Sequence, residues 1–432
     1  MKKICRFWWI IAFPLASILV GAILMTLVYA IPTERMERNV RESTEIYMNE
    51  EATESWAPGI VGATLDNLTD ATIIMEAIYS GDESALEKAM SNPSLYLTGD
   101  EDSFYSLGHL RAYLSGENPD LFSKNTYARY WHGNLLTFKL GLLFFNISEL
   151  RILNMIIQGL LSLAIAALLF RRFGLGHCLA FGAALMFLNP ITCAMNFQNA
   201  ATYYILLVGM LVMLLLENHL KKNFLFAKLL MFTGIATAFF DFLTYPLVPL
   251  GMMLVLYLTM NRDSSVTFGR RLLSIIGGCT SWAAGYLIMW AGKWVLSSIV
   301  TGENVLSDAA SNVALRTGTS DAAADIGLFS AISKNISEVS LKFIVILAIA
   351  AIIYIVITCI KKKGSIQFNL GLILSILVTA LLPFAWYIVT RNHSYIHTLF
   401  TYRELAITLF GILIAVASVF SCPKTCPGVT KS

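Results

Sequence analysis

Apolar runs long enough to cross a lipid bilayer recur along the whole chain, and no other feature constrains its fold as strongly. A membrane-spanning helix needs ~20 predominantly apolar residues. Ten segments of about this length occur at 7–31, 151–170, 176–190, 202–216, 224–240, 246–260, 272–290, 341–360, 368–389 and 405–420. Only 14% of the 432 residues are charged, against ~25% in soluble domains. The sequence therefore predicts an all-α polytopic membrane protein with about ten transmembrane helices.

The distribution of charge predicts how these helices are oriented. Cytoplasmic loops of membrane proteins are enriched in Lys and Arg, and the segments assigned to that side hold 16 basic residues and two acidic ones. Both termini then lie in the cytoplasm, and the short loops favour a bacterial-type plasma membrane. The predicted parts are an N-terminal transmembrane anchor (1–31), an extracytoplasmic loop (32–150), a multi-helix transmembrane domain (151–421) with a second outer loop (297–340), and a cytoplasmic tail (422–432).

The first outer loop has a composition unlike the rest of the chain. Residues 32–133 hold 18 of the 28 acidic residues and 7 basic ones. No cysteine lies between 32 and 150, so the order of this loop must come from packing and not from disulfides. Within it, residues 98–133 are the most polar stretch, with Asp100, Asp102, Arg129 and His132.

A second polar cluster, 391–404, joins the last two predicted helices on the same outer side. Single interfacial arginines usually extend toward lipid head groups, but two Arg and two His within fourteen residues exceed what anchoring requires. Asp241 follows a helix on that side as well, where it either caps the next helix or joins a site. The predicted substrate- and phosphate-binding residues are Arg129, His132, Asp241, Arg391, His393, His397 and Arg403.

These residue types suit group transfer from a lipid phosphate at the outer membrane surface. Arginine binds phosphate oxygens through two parallel hydrogen bonds, and a carboxylate can remove the proton of an acceptor hydroxyl. A divalent cation bridging Asp100 and Asp102 to the phosphate would fit the preference of such ions for carboxylate oxygen. The alternative for these neighbouring acids is a hydrated turn.

The run 98–170 resembles the first-loop region of GT-C-type integral membrane glycosyltransferases, which use polyprenyl-phosphate-linked sugars. The similarity lies in SLGHLRAYLSGENP, TYARYWHGNLLTFKLGLLFF and ISELRILNMIIQGLLSLAIA. The resemblance implies that an outer-loop aspartate is the catalytic base, either Asp100 or Asp102. Because the family's acidic motif commonly follows the first helix more closely, Asp66 and Asp70 are competing candidates.

We therefore hypothesise a glycosyltransferase that moves a hexosyl or pentosyl group from a polyprenyl-phosphate donor to an extracytoplasmic glycan or lipid, in cell-envelope polysaccharide biosynthesis. A lipid-linked glycan polymerase or ligase is the nearest alternative. A transporter or flippase is the alternative from another class, although internal repeats and polar residues near the bilayer midplane are not evident. The sequence has no P-loop, dinucleotide fingerprint or zinc spacing, and nothing in it predicts a nucleic-acid partner.

Overall fold

Helices make up most of the chain, as the apolar runs predict. The computed structural model describes residues 8–98, 106–220, 224–321, 323, 326–362 and 369–419. Helix α1 (Trp9–Tyr29) is uniformly apolar and contains Pro14. Its exposed side chains include Leu19 and Ile23, as expected for a helix that faces lipid.

The segment after α1, which is predicted to be extracytoplasmic and is called the outer segment below, folds into short helices and one pair of strands. These are α2 (Glu34–Arg41), α3 (Thr44–Asn49), α4 (Asn67–Ile78), α5 (Ala85–Ser91), β1 (Pro93–Leu97), α6 (Ser106–Ser115), β2 (Phe122–Thr126) and α7 (Asn134–Leu142). The strands are antiparallel, with Ser94 opposite Asn125 and Leu97 opposite Phe122. The all-α prediction missed them because each strand is only five residues long and its partner lies beyond α6, so no local pattern indicates the pairing.

The rest of the described chain is helical and forms the membrane part with its outer connections. Its helices are α8 (Ile147–Phe173), α9 (Leu175–Leu188), α10 (Pro190–Met195), α11 (Phe197–Leu215), α12 (Glu217–Leu220), α13 (Leu225–Phe240), α14 (Leu247–Met260), α15 (Phe268–Thr301), α16 (Val305–Thr317), α17 (Ser330–Ser337), α18 (Leu341–Lys362), α19 (Leu370–Thr379), α20 (Leu382–Val389), α21 (Arg391–Ile396), α22 (Thr398–Thr401) and α23 (Ala406–Val419).

Several helices qualify as membrane spans, which makes this an all-α polytopic membrane protein apart from the small sheet. Within the described ranges, six helical segments are long and apolar enough: Trp9–Tyr29, Ile147–Phe173, Phe197–Leu215, Phe268–Thr301, Leu370–Val389 (α19 continued by α20) and Thr398–Val419 (α22 continued by α23). A bent pair, Ser330–Ser337 plus Lys342–Ile355, raises the number to seven if it is counted as one span. Three apolar helices are shorter: α9, α13 and α14. Each of the ten predicted segments overlaps a helix, but length and composition qualify only six or seven of them.

Glycines allow two of the membrane helices to pack with their backbones in close approach. Gly234 of α13 lies against the carbonyl of Trp282 in α15, and Gly285 of α15 lies against the carbonyl of Met231 in α13. A Cβ atom on either glycine would overlap that backbone oxygen. Small residues at such reciprocal positions are typical of helix pairs in membranes, where close packing replaces the hydrophobic effect.

Two buried lysines hold helix ends of the outer segment, one from within that segment and one from the membrane helix α15. Lys139 of α7 donates to Ala77 O at the end of α4 (2.7 Å), and Lys293 of α15 donates to Ala89 O at the end of α5 (2.8 Å). Both lysines are fully buried. The last carbonyls of a helix lack partners and carry partial negative charge, so the buried ammonium groups stabilise these two helix ends.

Candidate functional site

Two of the four predicted catalytic acids bind helix N-termini. Asp66 caps α4 by accepting from Thr69 N (3.1 Å), and it also accepts from the Gln198 side chain (2.6 Å). Asp70 is fully buried and accepts from Phe197 N (3.0 Å) at the start of α11. Burial raises the pKa of both carboxyl groups, while these donors act in the opposite direction. Caps of this kind stabilise helices by ~1 kcal/mol each.

The other two predicted catalytic acids, Asp100 and Asp102, lie outside the described residues. The segment that carries them connects β1 to α6. Their predicted roles as base and as metal ligands therefore remain predictions. In the part of the chain that the structure describes, no group of three or more His, Cys, Asp or Glu side chains could hold a metal ion.

The two arginines of the predicted 391–404 cluster bind backbone carbonyls. Arg403 is fully buried and donates to Leu188 O (2.9 Å), Leu399 O (2.9 Å) and Gly62 O (3.2 Å). Arg391 donates to Gly318 O (2.6 Å), just beyond the end of α16. Both guanidinium groups therefore tie separate segments of the chain together.

Asp241 begins a tight turn at the C-terminal end of α13. Its carboxylate accepts from the Thr202 hydroxyl (2.9 Å) and from Thr244 N (3.1 Å). Leu243 has a φ of 69°, a left-handed conformation that costs a residue with a side chain ~1–3 kcal/mol and is frequent at functional sites. The turn is held from the other side as well, because Glu404 accepts from Leu247 N (3.0 Å).

An arginine that the sequence analysis did not select joins this turn to the two predicted histidines. Arg316 of α16 donates from Nη1 to His393 Nδ1 (2.9 Å). His393 Nε2 therefore carries the proton and donates to Leu243 O (2.8 Å). The His397 ring lies 4.8 Å from the His393 ring. Burial, and then Arg316 and His397, lower the pKa of His393 well below its usual value, so its ring is neutral at pH 7.

Aromatic rings surround this group of polar side chains. Tyr130 is buried, with the Arg316 guanidinium 5.7 Å from its ring centre. Its ring packs edge-on against Trp290 (5.6 Å) and Phe242 (5.9 Å). We name Tyr130, Asp241, Arg316, His393 and His397 the outer cluster, because they lie together near the ends of α13 and α21, on the side that the topology predicts to be extracytoplasmic.

His132 borders the outer cluster and is hydrogen-bonded to a buried carboxyl group. Its Nδ1 lies 2.7 Å from Glu76 Oε2, and both side chains are fully buried. The ring contacts Phe242 (4.7 Å), and the φ of His132 is 53°, again left-handed. Charge from Lys293 also acts on Glu76. His132 therefore anchors the first outer loop against the cluster.

Arg129 lies farther out and is paired. It makes an ion pair with Asp308 of α16 (3.1 Å) and lies over the Tyr127 ring (4.5 Å). Of the predicted binding residues, the structure thus brings together Asp241, His393 and His397, with His132 at their border. Arg129, Arg391 and Arg403 contact other groups.

Arg316 could have been found from the sequence, because it is one of only two basic residues in the predicted second outer loop, the other being Lys334.

No protein-family model, curated protein or solved structure matches the chain. The function has to be inferred from the residues themselves.

Proposed function

We propose that the protein is a glycosyltransferase of GT-C-like architecture that moves a sugar from a polyprenyl-phosphate donor to an extracytoplasmic glycan or lipid acceptor. The observation that carries the proposal is the outer cluster, which combines a guanidinium, two imidazoles and a carboxylate with aromatic rings at one end of a membrane bundle. Cationic and imidazole groups suit the phosphate of the donor, and aromatic rings suit the faces of sugar rings.

Arg316 is the residue proposed to bind the donor phosphate. Within the described residues its side chain makes a single hydrogen bond, to His393. A guanidinium carries five N–H donors, so most of those of Arg316 remain available. The residue is partly exposed, and His397 beside it is exposed. Arg316 and His397 can therefore reach a ligand, whereas Arg403 donates to three protein carbonyls.

The proposed reaction breaks the bond between the sugar C1 and the phosphate oxygen of the donor. A new bond forms between C1 and the acceptor oxygen, the acceptor proton passes to a carboxylate, and polyprenyl phosphate leaves with its charge stabilised by Arg316 and by an N–H of His397. Asp100 or Asp102 is the proposed base, as the resemblance implies. The competing candidates Asp66 and Asp70 are less suitable, because their carboxylates already accept hydrogen bonds at helix N-termini. Asp241 holds the turn that orients His393.

The proposal includes a ten-span topology in a plasma membrane, with both termini in the cytoplasm. The three shorter apolar helices, α9, α13 and α14, supply the remaining spans beyond the seven that length and composition qualify. Helices of 14 or 16 residues are ~21–24 Å long, so short flanking turns would have to complete their passage. Cysteine labelling of the loops from each side of the membrane tests this topology.

The decisive experiment measures transfer in proteoliposomes that contain radiolabelled polyprenyl-phosphate sugar and an envelope-derived acceptor extract. Removing a donor that stabilises developing negative charge typically costs ~100-fold or more in rate, so Arg316→Gln should lower transfer by about 100-fold. His397→Ala should also lower it. The matched controls are Arg270→Gln and His219→Ala, which change exposed residues near the predicted cytoplasmic side.

The outcomes separate the functions considered. Label on the acceptor that depends on Arg316 supports the transferase, and chains of many added units identify a polymerase. Donor that crosses the bilayer without transfer identifies a flippase and refutes the proposal. Transfer that is equally fast in Arg316→Gln and in wild type refutes the assignment of the outer cluster. Chelation of divalent ions tests the predicted bridge at Asp100 and Asp102.

A further inference from the structure

A cavity of about 380 Å³ lies in the outer segment, between α4, α6 and the two-stranded sheet. Its lining includes Thr72 and Met75 from α4, Ser94 and Tyr96 from β1, and Asn125 from β2. None of these residues belongs to the outer cluster. Small-molecule sites typically enclose roughly 300–1,000 Å³, so the cavity has room for a ligand of one or two sugar rings.

The hydrogen-bonding groups of the cavity are mostly neutral and numerous. Ser94 lines the cavity and is 8% exposed as a residue, and no protein group within the described part of the chain hydrogen-bonds to its hydroxyl, which is accessible to the cavity. Such a hydroxyl can donate one hydrogen bond to a ligand in the cavity and accept others from it. Thr72, Tyr96 and Asn125 add two further hydroxyls and a carboxamide around the same space.

Among the described lining residues, the ionisable groups Lys124 and His109 have partners within the protein. Lys124 forms an ion pair with Glu83 (2.8 Å). His109 accepts at Nδ1 from Leu97 N (3.1 Å), which is the hydrogen bond of a neutral imidazole. A site for a free anion would instead present unpaired cations. The lining therefore favours a neutral ligand with many hydroxyls.

An aromatic ring gives the cavity a flat apolar surface. The Tyr96 side chain is 39% exposed and packs edge-on against the His109 ring, with 5.8 Å between ring centres. The face of such a ring is electron-rich and attracts the polarised C–H groups on one side of a pyranose. Hydroxyls and an amide around an exposed tyrosine match the two kinds of surface of a sugar.

We propose that this cavity binds a neutral saccharide of one or two rings, in a site separate from the outer cluster. The inference goes beyond the proposed function, because it assigns a second, binding-only site to the outer segment. If the transferase proposal holds, the natural occupant is a unit of the glycan acceptor.

Saturation-transfer NMR on the purified full chain in nanodiscs tests the inference with defined probes. These are the methyl glycosides of glucose, galactose and N-acetylglucosamine, with sorbitol as an acyclic polyol and inorganic phosphate as an anion. At least one glycoside should bind and the two comparison probes should not. Tyr96→Ala should weaken binding ~10-fold, a loss of about 1.4 kcal/mol. Tyr96→Phe keeps the ring and should retain most of the affinity.

Three results would overturn the inference: no glycoside binds, phosphate displaces the glycoside, or Tyr96→Ala binds as well as wild type. Ser94→Ala provides a second variant that leaves the aromatic ring in place, and it should also weaken binding. Because these measurements need no donor lipid, binding without transfer refutes only the proposed function. Transfer without glycoside binding refutes only this inference.

Discussion

Adding one methyl group at Gly285 tests whether α13 and α15 pack as closely as described. Both Gly285 and Gly277 lie in α15, so both Gly→Ala changes gain the same ~1 kcal/mol of helix propensity. A Cβ at Gly277 would meet nothing within 4 Å, whereas at Gly285 it would overlap Met231 O and lie 3.1 Å from the side chain of Met231.

The magnitude follows from which atoms would have to move. The obstructing oxygen belongs to the backbone of α13, so rotation of a side chain cannot relieve the overlap. Overpacking of this kind costs ~1–3 kcal/mol. Gly277→Ala should therefore be neutral or stabilising by up to ~1 kcal/mol. Because both variants gain the same helix propensity, Gly285→Ala should be less stable than Gly277→Ala by the overpacking cost alone, about 1–3 kcal/mol.

Stability can be compared by unfolding the purified variants in mixed micelles with increasing mole fractions of sodium dodecyl sulfate, followed by circular dichroism. Wild type, Gly277→Ala and Gly285→Ala are measured side by side, and Gly234→Ala tests the reciprocal contact. The expected order of midpoints is Gly277→Ala at or above wild type, with Gly285→Ala and Gly234→Ala below Gly277→Ala. Equal midpoints for Gly277→Ala and Gly285→Ala would refute the close approach of α13 and α15.

Three further predictions concern buried charge. Glu76→Gln removes the buried partner of His132 and should lower the free energy of unfolding by ~3–5 kcal/mol. Glu83→Gln, which removes the partly exposed partner of Lys124, should lower it by at most ~1 kcal/mol. Similar thermal midpoints for the two variants would contradict this prediction. The pKa of His393 is lowered well below 6.5 in the folded protein. As the pH falls below 6.5, the unfolded chain therefore binds a proton that the folded chain does not, and the free energy of unfolding decreases. His393→Gln should remove up to ~1.4 kcal/mol per pH unit of that slope, and an unchanged slope would show that the ring is not held neutral. Arg403→Lys should lower the folded yield with little change in the donor KM, and Arg391→Lys should lower the yield by a smaller amount. A raised KM in stably folded Arg403→Lys protein would contradict this and would support the predicted contact between Arg403 and the donor phosphate.

Hydropathy and charge bias predicted the helical class, because each depends only on local composition. Charge bias predicted that Asp241 and the 391–404 cluster lie on the same side of the membrane. The structure brings them together, since His393 donates to Leu243 O in the Asp241 turn; that this side is the extracytoplasmic one stays a prediction. Predictions of this kind succeed where a physical constraint acts on every residue of a segment. The bilayer is such a constraint.

The direction in which a single charged side chain points could not be predicted in the same way. Arg403 and Arg316 have the same chemistry, but Arg403 donates to three carbonyls and Arg316 makes one bond to an imidazole. The difference depends on which helix ends lie within reach, and the partners of Arg403 include Leu188 and Gly62, 215 and 341 positions away. Charge density along the sequence carries no information on contacts at such separations.

The lysine contacts of the outer segment also constrain how the chain is made. Ala89 O and Met90 O, at the end of α5, receive their hydrogen bonds from Lys293 and Ser297, which are 204 and 207 positions later. During synthesis these carbonyls must remain hydrated until α15 has been inserted. The outer segment consequently matures late, and excising residues 32–150 as a soluble fragment would remove the groups that complete its own helices.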